Sequence, residues 1–175
     1  ACVDAADRGW NSNRVGVNTM VNNDKLTAYV GSQDVSAGED IMKYMIDYMK
    51  KDAFNIVVIE GPMGQSAQLQ RMEGIENVLK DYPDIQILDQ NTANWSRSEA
   101  MTLMETWITT YGDDIDAVVS ENDEMALGAR EAIEAQNMDI PCIGIDGITD
   151  AVAAVESGKM IASDFQNAEG QIQVT

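Results

Sequence analysis

Short apolar runs of strand length alternate along this chain with longer stretches in which apolar residues recur every three to four positions. The strand candidates are residues 14–17, 28–30, 55–59, 85–88, 117–119, 142–145 and 160–163. Between them the period of 3.6 predicts helices. One covers 35–50, with Ile41, Met42, Met45 and Met49 on a single stripe, and a second covers 66–80 through Leu69, Met72, Ile75, Val78 and Leu79. A third follows Ser96-Arg97-Ser98-Glu99, which has the form of a capping box, and turns Met101, Met104, Trp107 and Ile108 inward. Two more cover 123–136 and 149–157, the last stopped by Gly158. Strand and helix in strict alternation predict an α/β fold, a doubly wound parallel sheet. Most methionines fall on the helical stripes and are expected in the core.

In open parallel sheets, ligands bind beyond the carboxyl ends of the strands, so the residues just after each strand are the place to look for chemistry. Here they are Asn18, then Glu60-Gly61-Pro62-Met63-Gly64, then 91–95 ending in Trp95, then Glu121-Asn122-Asp123, then Asp146-Gly147, and Phe165-Gln166-Asn167. Arg71 lies one or two turns into the helix after Gly64, within reach of the same rim. Carboxylates and amides pair bidentately with neighbouring hydroxyls, a guanidinium supplies a fixed fork of donors, and an indole face covers the C–H side of a sugar ring. The ligand implied is small, neutral and polyhydroxylated.

Each of these residues also has a plainer reading. Asp146 before Gly147 has the form of a turn, and Asn122-Asp123 that of a helix N-cap. Arg71 taken alone reads as a surface residue bridging to Glu73 or Glu76. Trp95 sits in a polar loop, so core packing explains it less well than it explains Trp107. Convergence on one rim, rather than any single residue, carries the ligand reading.

Composition then removes competing classes. The 175 residues carry 11 basic and 30 acidic side chains, a formal charge of −19, and no histidine. Such a surface repels phosphate backbones and anionic lipid, which argues against nucleic-acid or membrane-surface binding. Without histidine there is no Ser-His-Asp or Cys-His machinery. Two cysteines, Cys2 and Cys142, make neither a disulfide framework nor a zinc site. No metal and no cofactor are expected. Ala1-Cys2-Val3-Asp4 has no basic start and no apolar stretch, so the chain is expected either to have lost a leader or to start inside a larger protein.

With these residues in hand, the chain resembles the periplasmic sugar-binding proteins of the ribose and galactose/glucose type, the solute receptors of ABC transporters. The resemblance runs from about Val15 to Gln171. It is carried by Thr92-Ala93-Asn94-Trp95-Ser96, by the run from Glu121 through Asn122 to Ala129, by Ile143-Gly144-Ile145-Asp146-Gly147, and by the Glu60-Gly61 turn leading to Arg71. It implies a type I periplasmic-binding-protein fold, one near-complete lobe plus part of the other. Residues 1–32 would be a remnant of the N-terminal lobe, 33–166 the C-terminal lobe, and 167–175 the start of the return. Arg71, Asn122, Asp146 and Gln166 become hydroxyl partners, Trp95 the stacking aromatic, and Asn18 a contribution from the opposite lobe. The opening units of the family have no counterpart, so the resemblance implies a truncated chain.

Departures leave the sugar open. Galactose/glucose receptors carry a histidine and an aspartate where this chain has Gln65 and Ala67, and ribose receptors carry Asp-Arg where it has Asn18-Thr19. The calcium loop of the galactose receptors is also missing. The implied function is non-catalytic: a monomeric extracytoplasmic receptor, periplasmic or lipid-anchored, for a monosaccharide or cyclic polyol. It would close two lobes over the sugar and present it to a membrane permease or a chemoreceptor. Two alternatives belong to other classes. One is the effector domain of a sugar-responsive transcription regulator, which shares the architecture and needs a basic helix-turn-helix. The other is a magnesium-dependent phosphohydrolase using Glu60, Asp89, Glu121 and Asp146.

Overall fold

The computed structural model describes the backbone of residues 15–17 and 28–30 and all of residues 31–166. The chain divides into two units, one of residues 1–33 with 167–175 and one of Asp34–Gln166. Within the first, β1 (Val15–Val17) and β2 (Ala28–Val30) pair in parallel.

The second unit holds a five-stranded parallel sheet in the order β4-β3-β5-β6-β7. Its elements follow one another as α1 (Asp34–Met49), β3 (Asn55–Glu60), α2 (Ser66–Leu79), β4 (Gln86–Thr92), α3 (Arg97–Tyr111), β5 (Ala117–Ser120), α4 (Asp123–Ala135), β6 (Cys142–Asp146), α5 (Thr149–Glu156) and β7 (Ala162–Phe165). Alternation along the central strands feeds two cores. Ile56, Val58, Ala117, Val119, Ile143 and Ile145 face α1 and α2. Val57, Ile59, Val118 and Cys142 face α3, α4 and α5. Burial on both faces explains why these strands are nearly unbroken apolar runs.

β3 goes to β4 on one side and the chain then returns to β5 on the other, with α2 and α3 on opposite faces. The strand order therefore reverses at the β3/β5 pair, and a crevice opens beyond their carboxyl ends.

Three expectations need correction. β4 extends to Thr92 rather than ending at Leu88, so Asn91 is a strand residue and not part of a loop. β4 is an edge strand, so its second half meets water and carries polar side chains without penalty. A register shift opposite Ile56/Val57 makes Leu88 an extra residue. Leu88 then packs with the α3-side core, while Asp89 on the same face accepts from Trp107 Nε1 at 2.9 Å. β7 lies two residues later than the pattern suggested, so Phe165 ends the strand, exposed. Leu69 is not on the buried stripe of α2 but is 56% exposed, and Gln68 and Arg71 take the inward positions. The first turns of α2 face the polar rim rather than the apolar core.

Two glycines set the distance between α1 and α2. A Cβ at Gly38 would stand 2.1 Å from the carbonyl oxygen of Arg71, and one at Gly74 would stand 2.1 Å from that of Val35. The helices thus touch backbone to backbone, which brings the start of α1 within reach of the Arg71 side chain.

Candidate functional site

Arg71 is the centre of the rim. It is 4% exposed, which overturns the surface-bridge reading. Its Nε donates to Asp34 Oδ1 at 3.0 Å, and its Nη1 donates to the backbone carbonyl of Glu121 at the end of β5. Nη2 stands 3.8 Å from Asp146 Oδ1, an ion pair too long for a hydrogen bond. Two sides of the guanidinium are thus committed, and Nη2 is the side left toward Asp146.

Trp95 covers this cation, its ring centre 5.6 Å from the Arg71 guanidinium carbon. The loop that presents it is bent, since Asn94 and Trp95 have φ of 54° and 61°. It is held by hydrogen bonds. Thr92 Oγ1 donates to the Gly61 carbonyl at 2.7 Å, and Asn94 Nδ2 donates to Glu99 Oε2 at 2.7 Å. The capping box is consequently only half formed: Ser96 Oγ accepts from Glu99 N, but the Glu99 carboxylate turns to Asn94. The indole Nε1 donates to Gln65 Oε1 at 2.9 Å. At Gly61 any Cβ would lie 2.1 Å from the Trp95 ring, so the ring rests on bare backbone.

Asn122 caps α4, its Oδ1 accepting from Met125 N at 2.9 Å. The plainer reading of Asn122 is therefore correct for its oxygen, and the amide nitrogen is the group left to donate. Asp146 ends β6 with φ of 130°, a region that side-chain-bearing residues seldom occupy and that costs on the order of 1–3 kcal/mol. Burial pushes its carboxyl up to about 6 against the pull of Arg71, and Asp123, Asp34 and Glu124 push the same way. Behind it, Asp123 Oδ2 accepts from Ile148 N and from Ser163 Oγ, and Ser163 Oγ accepts from Gly147 N, which ties the Asp146-Gly147 turn to β7. Gln166 donates from Nε2 to Asp34 Oδ1 at 3.1 Å.

Residues 13–175 match the family described as a periplasmic binding protein domain. The chain belongs to the periplasmic binding protein family. It is 43% identical over 154 residues to the xylitol-binding protein of Mycolicibacterium smegmatis, covering 87% of this chain and 44% of that protein. It is 35% identical to the ribose import binding protein RbsB of Bacillus subtilis, covering 83% of this chain and 46% of that one. Among solved structures, an ABC transporter solute binding protein from Bacillus halodurans with bound myo-inositol is 36% identical with a TM-score of 0.86, covering 91% of this chain and 56% of its own. The chain spans about half the length of the curated relatives it matches.

Of the residues singled out in the sequence, Arg71, Trp95, Asp146 and Gln166 are joined, directly or through Asp34, in this periplasmic binding protein, and Asn122 adjoins them through Glu121. Asn18 lies outside the described residues. Two acids set aside for metal chemistry are occupied otherwise. Asp89 holds Trp107 and Tyr111, and Glu60, whose carboxyl burial pushes above the usual carboxylate range, accepts from Gln68 Nε2 at 2.6 Å. Among the described residues no group of three acidic or cysteine side chains is placed to hold a metal.

Two buried polar residues were missed by sequence reasoning, and the part played by a third was not foreseen. Asp34 and Gln68 lie on helices where nothing local marks them. Glu121 stood on the rim and among the metal candidates but was given no structural role, yet it is fully buried, its Oε2 accepts from Gly61 N at 2.7 Å, and its Oε1 has no partner among the described residues. Burial pushes its carboxyl up to about 8, Glu60 and Asp34 push the same way, and the Gly61 N–H and Arg71 oppose the shift.

Proposed function

We propose that this rim is one wall of a binding site for a monosaccharide or cyclic polyol, in the substrate-binding protein of a bacterial ABC importer. The observation that carries the reading is the buried Arg71 guanidinium, fixed on two sides, facing the half-buried Asp146 carboxylate under the Trp95 indole. Cation and acid together serve both lone pairs and protons of neighbouring hydroxyls, and the ring supplies an apolar cover. Asn122 Nδ2 and Gln166 Oε1 add a donor and an acceptor, and Asn18 is proposed as a further partner. The names of the relatives, a xylitol-binding protein, a ribose import binding protein and a solute binding protein with bound myo-inositol, support a small neutral polyol.

The compactness of residues 34–166 supports reading 33–166 as one lobe, with 1–32 and 167–175 belonging to another. The role is non-catalytic, the location extracytoplasmic and the partner a membrane permease, with a chemoreceptor as a further partner and the protein a monomer. A ligand of this kind acts by favouring the one conformation that it binds better. Titration calorimetry of the intact protein with xylitol, ribose and myo-inositol tests the reading. Binding of ribose or myo-inositol is expected; binding of xylitol alone would replace the ring-shaped ligand by an open-chain polyol, and silence across all three overturns the reading.

A further inference from the structure

Asp34 opens α1 with its carboxylate almost completely buried, its side chain only 2% exposed. One oxygen, Oδ1, accepts from two donors far apart in the chain, Arg71 Nε at 3.0 Å and Gln166 Nε2 at 3.1 Å. Both donors belong to the proposed sugar wall, whereas Asp34 is too deep for a ligand to reach.

The geometry of the two donors shows what this shared oxygen does. A guanidinium is planar and rigid, so fixing Nε on Asp34 and Nη1 on the Glu121 carbonyl fixes where Nη2 points. It stops 3.8 Å short of Asp146. With Asp34 gone, Asp146 becomes the carboxylate that faces the cation. Closing the remaining gap would spend the Asp146 oxygen that a ligand hydroxyl needs. Gln166 is held by the same logic: an amide whose nitrogen is fixed on Asp34 keeps its oxygen turned away from Asp34 and open to accept.

We infer that Asp34 is a positioning residue of the ligand site, which sets Arg71 and Gln166 and holds Arg71 back from Asp146. The inference rests on the sugar reading of the rim. It also has a signature that a merely structural role lacks. The charged groups facing Asp146 are Arg71 from α2, Asp34 from α1, and Asp123 and Glu124 from α4, and of these Asp34 raises its carboxyl while Arg71 lowers it. Removing the Asp34 charge takes away one group that raises Asp146 and frees the one that lowers it. The acid limb of ligand affinity, set by protonation of Asp146, must therefore move to lower pH.

The experiment is calorimetry of the intact protein, wild type, Asp34→Asn and Asp34→Ala, with xylitol, ribose and myo-inositol between pH 4.5 and 8. For a polyol that the wild type binds, both variants are expected to lose affinity on the order of tenfold or more at pH 7.5, with the acid limb displaced downward in pH. Wild-type affinity in both variants, or a loss with the limb unmoved, overturns the inference and leaves the sugar reading standing. Silence of the wild type overturns the sugar reading and the inference with it. Exchange of the Arg71 Nε–H and Gln166 amide protons in the unliganded wild type, followed by NMR, covers variants that do not fold. Protection of both is expected, and free exchange of either overturns the inference.

Discussion

The guanidinium carbon of Arg71 lies 5.6 Å from the centre of the Trp95 ring, and the same indole donates to Gln65 and rests on Gly61. Ring and cation form one surface, so a ligand against the ring is also against the cation. Cation–π contact contributes about 0.5–2 kcal/mol and a ring face adds apolar cover. Trp95→Ala is expected to weaken polyol binding by tenfold or more. Trp95→Phe keeps a face but loses the Gln65 bond, and it should lose less. Calorimetry with the polyols named above reads both.

Arg71 separates charge from shape. Arg71→Lys keeps a cation near Asp34 but loses the fork that also reaches the Glu121 carbonyl. It should fold and bind at least tenfold more weakly. Arg71→Ala leaves Asp34 buried without its cation, a loss of about 3–5 kcal/mol in stability. Urea unfolding beside calorimetry distinguishes the two outcomes.

The contact of α1 with α2 is a testable link between packing and site. Gly38→Ala places a Cβ 2.1 Å from the Arg71 carbonyl oxygen, which backbone alone must relieve. A destabilisation of about 1–3 kcal/mol is expected from such overpacking. Because the helices must separate, the Asp34–Arg71 bond should loosen and affinity fall in the same variant.

How much of this was legible beforehand follows from what apolar spacing reports. It reports which residues avoid water, so β3, β5, β6 and the stripe of Ile41, Met42 and Met45 on α1 were plain. It misreads places where burial is polar or a strand is half wet. Leu69 looked buried because Gln68 and Arg71, which displace it, look like surface residues. The end of β4 looked like a loop because an edge strand tolerates Asp89-Gln90-Asn91. The rim residues were legible because topology alone puts strand ends together. Asp34 was not, since its partners stand 37 and 132 positions away and no local pattern encodes them.

Asp146 predicts the pH dependence of binding. Its carboxyl is pushed up to about 6, so it is charged at pH 7.5 and increasingly protonated below 6. A hydroxyl donating to the carboxylate favours the charged form, so affinity should be level above about pH 7 and fall as pH drops through 6. The limiting slope is about tenfold per pH unit. Asp146→Asn should bind weakly and without this acid limb, as calorimetry across the range would register.

Glu121 makes the opposite kind of prediction, about stability rather than binding. Its carboxyl lies at about 8 in the folded protein against an ordinary value of 4.5, because burial favours the neutral acid. The folded state therefore holds a proton that the unfolded chain has released. Below pH 4.5 both states are protonated and folding loses nothing. Between 4.5 and 8 stability falls as pH rises, by up to about 1.4 kcal/mol per unit, and above 8 it levels off. Glu121→Gln has the shape of the neutral acid and keeps an oxygen for Gly61 N–H. It should match the wild type at pH 4.5 and be the more stable protein at pH 8. Urea unfolding at both values decides, and equal stability at pH 8 would show that Glu121 is not held neutral.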